Sequence, residues 1–266
     1  MKITIAGCGN MGLTYANAFL KNNIVAKENL FLAERKEDRR EELKKMQIGQ
    51  VTNIADKQIA DSDIIILAVK PQDFDELANE LKKAISPKNI IISIMAGITI
   101  KYISEKLSTQ KIVRAMPNSP AELGMGITGY TCGPVLSVDE VRKSGNILAA
   151  TGLTIFFENE SMLNAVTALS GSGPAYFFYL VKNMIAAGEK MGMDEHVSTA
   201  LVKQTMLGSF HLLNGSSKSL DELIKAVSSK GGTTEAAFTV FEQLQVGENL
   251  QKGIVRACER AKELAK

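Results

Sequence analysis

The chain has 266 residues, enough for one large domain or two modest ones with a substantial core. Its 31 basic and 29 acidic residues leave a net charge of +2, which provides no field for nucleic acid or a membrane surface. The longest purely aliphatic run, Ile64–Val69, is far too short to span a bilayer.

In chain order, Lys2–Ala6 alternates as a short strand. The glycine-rich turn Gly7-Cys8-Gly9-Asn10-Met11-Gly12 opens a helix that ends near Lys21. Ile5-Ala6-Gly7-Cys8 has the order of a lipoprotein cleavage site, but no apolar signal region precedes it, so it is read as strand and turn. A second strand, Asn29–Glu34, leads into a helix to about Met46 whose mixed charges at helical spacing mark a solvated face. Asp63–Val69 reads as a strand buried on both faces, and Pro71 starts a helix through Ala84. Strands at Asn89–Ile94 and Lys111–Ala115, a helix over about Ser137–Ala150 and a strand at Thr154–Phe157 follow. This alternation implies an α/β, doubly wound, parallel sheet over residues 1–158.

After Glu158 only helical periodicity remains. Phe178, Val181, Ile185 and Gly188 share one stripe, Val197, Leu201 and Thr205 begin another, and Ile254, Cys258 and Ala261 form a last one. An all-helical domain over residues 159–266 is expected, and its many apolar stripes call for a partner copy. Cys8, Cys132 and Cys258 are isolated and odd in number, as reduced thiols in a cytoplasm would be. His196 and His211 have no ligand spacing, so no metal site is expected.

A lone GxGxxG is weak evidence, but here it follows a strand and opens a helix, the context of a dinucleotide loop. Gly7 permits the tight turn, Gly9 the backbone approach to a pyrophosphate, and Gly12 close helix packing. At the end of the second strand, Glu34 suits a ribose 2′-hydroxyl and so NAD(H), whereas Arg35, Lys36 and Arg39 suit the 2′-phosphate of NADP(H). These residues leave the cofactor open, with NADPH expected to serve at least as well as NADH. Lys70, before Pro71 at a strand end, favours packing on the cofactor over acid–base chemistry, against the bland reading of a surface lysine.

Arg114-Ala115-Met116-Pro117-Asn118 reads either as a stiff loop over the nicotinamide or as a plain turn. Ser170-Gly171-Ser172-Gly173-Pro174 reads as a helix start that, with Thr167, lines a polar pocket. Ser228-Ser229-Lys230-Gly231-Gly232-Thr233-Thr234 leads into a further helix, with Thr233 as its N-cap and exposed N–H groups forming an anion site. Thr234 is expected to turn both its N–H and its hydroxyl toward a carboxylate.

Together GCGNMG, AVKP, RAMPN, SGSGPAY and SSKGGTT resemble pyrroline-5-carboxylate reductase in order and spacing over the whole chain. The resemblance implies a Rossmann-like domain, an all-helical substrate-binding and dimerisation domain, and active sites formed between interlocked subunits of a homodimer, with higher assemblies of dimers in some members. Carried over by position, Ala6, Gly7, Cys8, Gly9, Asn10 and Met11 contact the cofactor, as do Ala68, Val69, Lys70, Pro71, Ile94, Met95 and Ala96. Thr167, Ser229, Thr233 and Thr234 surround the substrate. The implied reaction is hydride transfer to a C=N bond, giving L-proline, with catalysis mainly by positioning. Thr167 then meets the ring nitrogen, while Ser229 and the N–H groups at Gly232, Thr233 and Thr234 take the carboxylate; Asn118 is added to the substrate contacts.

The sequence departs from the family pattern at Ser217, Leu220, Lys225 and Lys230, where a glutamate, a proline, an aspartate and a proline are common. Two rivals stand beside this reading. A β-hydroxyacid dehydrogenase would use Lys182-Asn183 but leaves Gly231–Thr234 unexplained. A non-catalytic dinucleotide-binding regulator is motivated by Ser217 and Lys230 and opposed by the intact RAMPN and SGSGPAY.

Overall fold

A computed structural model describes residues 1–266. Strands β1 (Ile3–Ala6), β2 (Leu30–Ala33), β3 (Gln50–Thr52), β4 (Ile64–Leu67), β5 (Ile90–Ser93), β6 (Ile112–Met116), β7 (Gly126–Cys132) and β8 (Gly152–Phe156) form one sheet. Its eight strands run in the order β3-β2-β1-β4-β5-β6-β7-β8. Between them lie α1 (Asn10–Lys21), α2 (Glu37–Met46), α3 (Phe74–Leu81), α4 (Ile100–Leu107) and α5 (Val138–Leu148). The remainder is helical: α6 (Met162–Val166), a π-helical turn Thr167–Gly171, α7 (Gly173–Lys190), α8 (Glu195–Gly215), α9 (Leu220–Ala226), α10 (Thr233–Gln243) and α11 (Val246–Glu263).

The apolar run in β4 is divided by the period-two geometry of a strand. Ile64 and Ile66 join the core containing Ile3, Ile5, Tyr15 and Phe19. Ile65 and Leu67 join the opposite core, with Phe74, Leu77 and Ile103. Both faces are covered, which is why these strands read as continuous apolar runs.

Two strands depart from the sequence expectation, and the sheet is mixed rather than parallel throughout. β7 runs antiparallel to β6, with Val113 opposite Cys132, and β8 then runs parallel to β7. The connection from β6 is a 3₁₀ turn, Ser119–Leu123, closed by Gly124 at φ +72°, too short for the crossover that a parallel neighbour requires. GITGYTC has little aliphatic character because it lies under a helix. A Cβ on Gly129 would fall 2.9 Å from both Val166 methyls. The short edge strand β3 was likewise absent from the sequence reading.

The chain divides into two compact units, Met1–Gly173 with Ala257–Lys266, and Pro174–Arg256. This division falls later than the boundary expected near Asn159, because α6 packs on β6 and β7 of the sheet. Within the first unit Arg114, only 3% exposed, points inward from β6 and donates to Glu160 at 2.9 Å. Glu160 also accepts the Ile100 N–H, so it secures β6 and the start of α4 together.

In the second unit two helices start from side-chain caps: Asp194 accepts the Val197 N–H ahead of α8, and a Ser219–Glu222 capping box opens α9. That box starts α9 with Leu220 as its first residue. The unit has almost no interior, its buried residues being Gly188, Ser198 and Val202. Gly188 lets α7 close on α8, since a Cβ there would fall 2.5 Å from Ser198 Oγ.

Candidate active site

Two of the three glycines of the loop are required by the chain itself. Gly7 has φ +99°, and a Cβ on it would lie 2.8 Å from the Val69 nitrogen. A Cβ on Gly12 would collide with the Gly7 carbonyl oxygen, so this glycine lets α1 start tightly against the loop. Gly9 differs: apart from its immediate neighbours in the chain, nothing lies within 4 Å of the place its Cβ would take. It is also the N-cap of α1 and brings no side-chain cap, so the first N–H groups of the helix stay available to an anion. A loop with that space and those donors fits a pyrophosphate.

The loop forms one wall of a cleft of about 530 Å³ at the carboxyl ends of β1, β2 and β4, whose lining includes Glu34, Arg35, Val69, Lys70 and Leu77. This is where strand order reverses between β1 and β4, the usual ligand crevice of an open α/β sheet. Ala6 is fully buried on β1 beneath the loop, and Asn10 and Met11 form the first turn of α1. Cys8 is 1% exposed, and burial pushes its thiol up to about 12, so it stays protonated and acts as core rather than nucleophile.

The charges at the end of β2 are already engaged by the chain. Glu34 Oε1 accepts the N–H groups of Arg35 at 2.9 Å and Lys36 at 3.2 Å. Arg35 pairs with Glu76 on α3. Arg39 donates to the Cys8 carbonyl at 3.1 Å and so braces the glycine loop itself. Glu76 was not singled out from sequence; its signal was Pro71, which starts the helical turns that carry it to the cleft.

Ala68, Val69, Lys70 and Pro71 lead from β4 toward α3, with Pro71 as the first residue of a 3₁₀ turn. Ile94, Met95 and Ala96 follow β5; the Ile94 N–H donates to the Leu67 carbonyl at 3.0 Å, tying this loop to the β4 end. Asn118 holds its own turn, its Oδ1 accepting the Ile127 N–H at 3.0 Å.

Thr167 begins the π-helical turn, a feature frequent at functional sites. Its hydroxyl donates to the Leu163 carbonyl at 2.7 Å, so its oxygen can offer a lone pair but that proton is committed. Gly171, one turn on, faces Met116 at the end of β6: a Cβ there would lie 2.6 Å from Met116 Cε.

In the second unit, Ser229, Gly232, Thr233 and Thr234 are brought together at the start of α10. The N-cap is Gly232 (φ −86°, ψ 172°), not Thr233, since the Gly232 carbonyl accepts the first helical bond from Ala236. Thr233 and Thr234 are thus the first helical residues, whose N–H groups have no acceptor within the helix. The Thr234 hydroxyl donates to the Val227 carbonyl at 3.1 Å rather than pointing at the anion position. Glu235 accepts the Gly231 N–H at 2.6 Å, and Gly232 N–H donates to Ser229 O at 2.9 Å. These bonds hold the turn around Lys230.

A doubly wound sheet with an open crevice at its switch point, followed by a helical unit, is the build of a dinucleotide-dependent oxidoreductase, and the comparisons agree. Residues 160–264 match the family described as pyrroline-5-carboxylate reductase dimerisation, and residues 2–97 match NADP oxidoreductase coenzyme F420-dependent. The chain is 33% identical to the pyrroline-5-carboxylate reductase of Pseudomonas aeruginosa, over 99% of its own length and 97% of that protein. It superposes on a Coxiella burnetii pyrroline-5-carboxylate reductase with a TM-score of 0.89 at 32% identity, covering 100% of this chain and 98% of that one. A Plasmodium falciparum pyrroline carboxylate reductase with NADP bound matches at 0.87 and 27%, with the same coverage. This chain belongs to the pyrroline-5-carboxylate reductase family.

Proposed function

We propose that this protein reduces 1-pyrroline-5-carboxylate to L-proline, using NADPH at least as well as NADH, as a cytoplasmic homodimer joined through its helical unit. The observation that carries the reading is the likeness to pyrroline-5-carboxylate reductases along essentially the whole chain, at 33% identity.

When bound, the dinucleotide supplies a hydride for C5 of the substrate's C=N bond. The loop Gly7–Gly12 and the N-terminus of α1 would hold its pyrophosphate, and Ala68–Pro71 with Ile94–Ala96 would bear on its nicotinamide half. Arg35, Lys36, Arg39 and Lys70 outnumber Glu34 and Asp73 along the cleft, which favours an anionic ligand.

The protonated ring nitrogen is a donor, and the Thr167 oxygen, with its proton on Leu163, is a matching acceptor. Thr167 therefore orients the ring and does not protonate it. An iminium is electrophilic without further acid, so positioning suffices. For the substrate carboxylate, the N–H groups of Thr233 and Thr234, helped by the helix dipole, are the matching donors. Ser229 stands beside them, its Oγ close against Gly232.

Assay of the purified protein with 1-pyrroline-5-carboxylate and each reduced cofactor tests the reading. Stoichiometric formation of proline is expected, and dinucleotide binding without turnover would favour the regulator instead.

The carboxylate site has its own test. Gly232 is extended and the next position is the first of the helix, so proline fits at Thr233 while removing its N–H. Thr233→Pro should keep the melting temperature and raise KM for the substrate about tenfold, the worth of one charge-assisted hydrogen bond. Thr234→Ala keeps its N–H and loses the bond to Val227, so it should lower stability more than substrate affinity. An unchanged KM in Thr233→Pro would remove the helix terminus from the substrate site.

A further inference from the structure

Arg35 leaves the end of β2 on one wall of the dinucleotide cleft, and α3 with Leu77 forms part of the other. The Arg35–Glu76 ion pair joins these walls. Asp73 and Glu80 add their charges, so the guanidinium faces three carboxylates of α3 and the turn before it. Nη1 of Arg35 is itself covered, but the Arg35 side chain is a third exposed and that of Glu76 two-thirds exposed (33% and 66%), and an ion pair between side chains so open to solvent is weak enough to exchange partners.

The neighbouring donors offer a 2′-phosphate little else. The backbone N–H groups of Arg35 and Lys36 are taken by Glu34, and Arg39 is engaged with Cys8 and Glu42. A phosphate at this end of the cleft would rely on Lys36 and on whatever share of Arg35 it wins.

We propose that Glu76 is a specificity-determining residue: its carboxylate competes with the ligand's 2′-phosphate for Arg35 and so sets the preference between NADPH and NADH. The proposal rests on the dinucleotide reading of the cleft. A phosphomonoester carries more charge than a carboxylate and accepts a guanidinium through two parallel bonds, so it can displace Glu76. A 2′-hydroxyl cannot, and NADH would bind with the ion pair closed. Glu76 acts through Arg35 and touches neither substrate nor the reacting atoms.

The test is titration of wild type and variants with NADPH and NADH, followed by nucleotide fluorescence. Glu76→Gln should lower the Kd for NADPH about three- to tenfold and change that for NADH less than about twofold. Glu76→Ala should show the same selectivity. The gain should shrink at about 0.5 M salt. It should vanish in an Arg35→Gln background. Equal shifts for both nucleotides, no shift for either, or a gain that persists without Arg35 would overturn the proposal while leaving the cleft as the dinucleotide site. Failure of the wild type to bind either nucleotide would overturn the cleft reading and the proposal with it.

Discussion

Gly9→Ala should leave the melting temperature unchanged and weaken dinucleotide binding at least about tenfold, roughly 1.4 kcal/mol. Alanine is compatible with the backbone there, at φ −78°, and apart from its immediate neighbours in the chain its methyl group would meet nothing within 4 Å. The methyl would instead take the space above the N-terminus of α1, where a pyrophosphate must come close to the N–H groups. Gly12→Ala should act first on stability. Its methyl collides with the Gly7 carbonyl and lies 3.2 Å from Ile5 Cγ2, so the loop or the helix must shift. Overpacking of that kind costs about 1–3 kcal/mol of stability. Thermal melts and fluorescence titrations on both variants separate a glycine needed for a ligand from one needed for packing. An unchanged Kd in Gly9→Ala would move the dinucleotide away from this loop.

Phe178→Glu should convert a dimer into a less stable, inactive monomer. Phe177, Phe178 and Tyr179 on α7 are 63%, 70% and 66% exposed, and Leu201, Leu207 and Phe210 on α8 are about half exposed. α10 adds Phe241 to this apolar surface. With Gly188, Ser198 and Val202 as its buried residues, the unit has no core to stabilise helices of this length, and monomers rarely leave so much apolar surface in water. Burying one phenylalanine contributes about 1.5–3 kcal/mol, and a two-fold interface counts it twice. Light scattering should therefore report two copies for the wild type and one for the variant. The wild-type melting temperature should rise with protein concentration. A wild-type monomer whose melting point is independent of concentration would refute this.

The glycine loop was legible because its roles are local. A turn at positive φ and a tight packing contact require glycine at Gly7 and Gly12, whatever the rest of the chain does. The same holds for the buried strands β1, β4 and β5 and for the helical periodicity after Glu158. The charges near Glu34 were legible as candidates only. Their partners are Glu76, far away in sequence, and the chain's own N–H groups, and neither leaves a mark on residues 34–39. At α10 the GGTT signal was clear, yet the N-cap lay one residue earlier than expected. The Thr234 hydroxyl was drawn to Val227, an acceptor that the sequence could not rank above a ligand.

The amino-acid sequence by itself determined the α/β class, the helical second half, the glycine turn between β1 and α1 and the family, because each rests on short-range periodicity or on motifs in fixed order. Only the tertiary structure decided that β7 reverses direction, that GITGYTC is a strand pressed under α6, that Arg114 turns inward to Glu160, and that Arg35 is held by Glu76. Those features depend on which of several possible partners a side chain or strand meets. That choice is made by burial and by the desolvation of charge, which exist only once the chain has closed on itself.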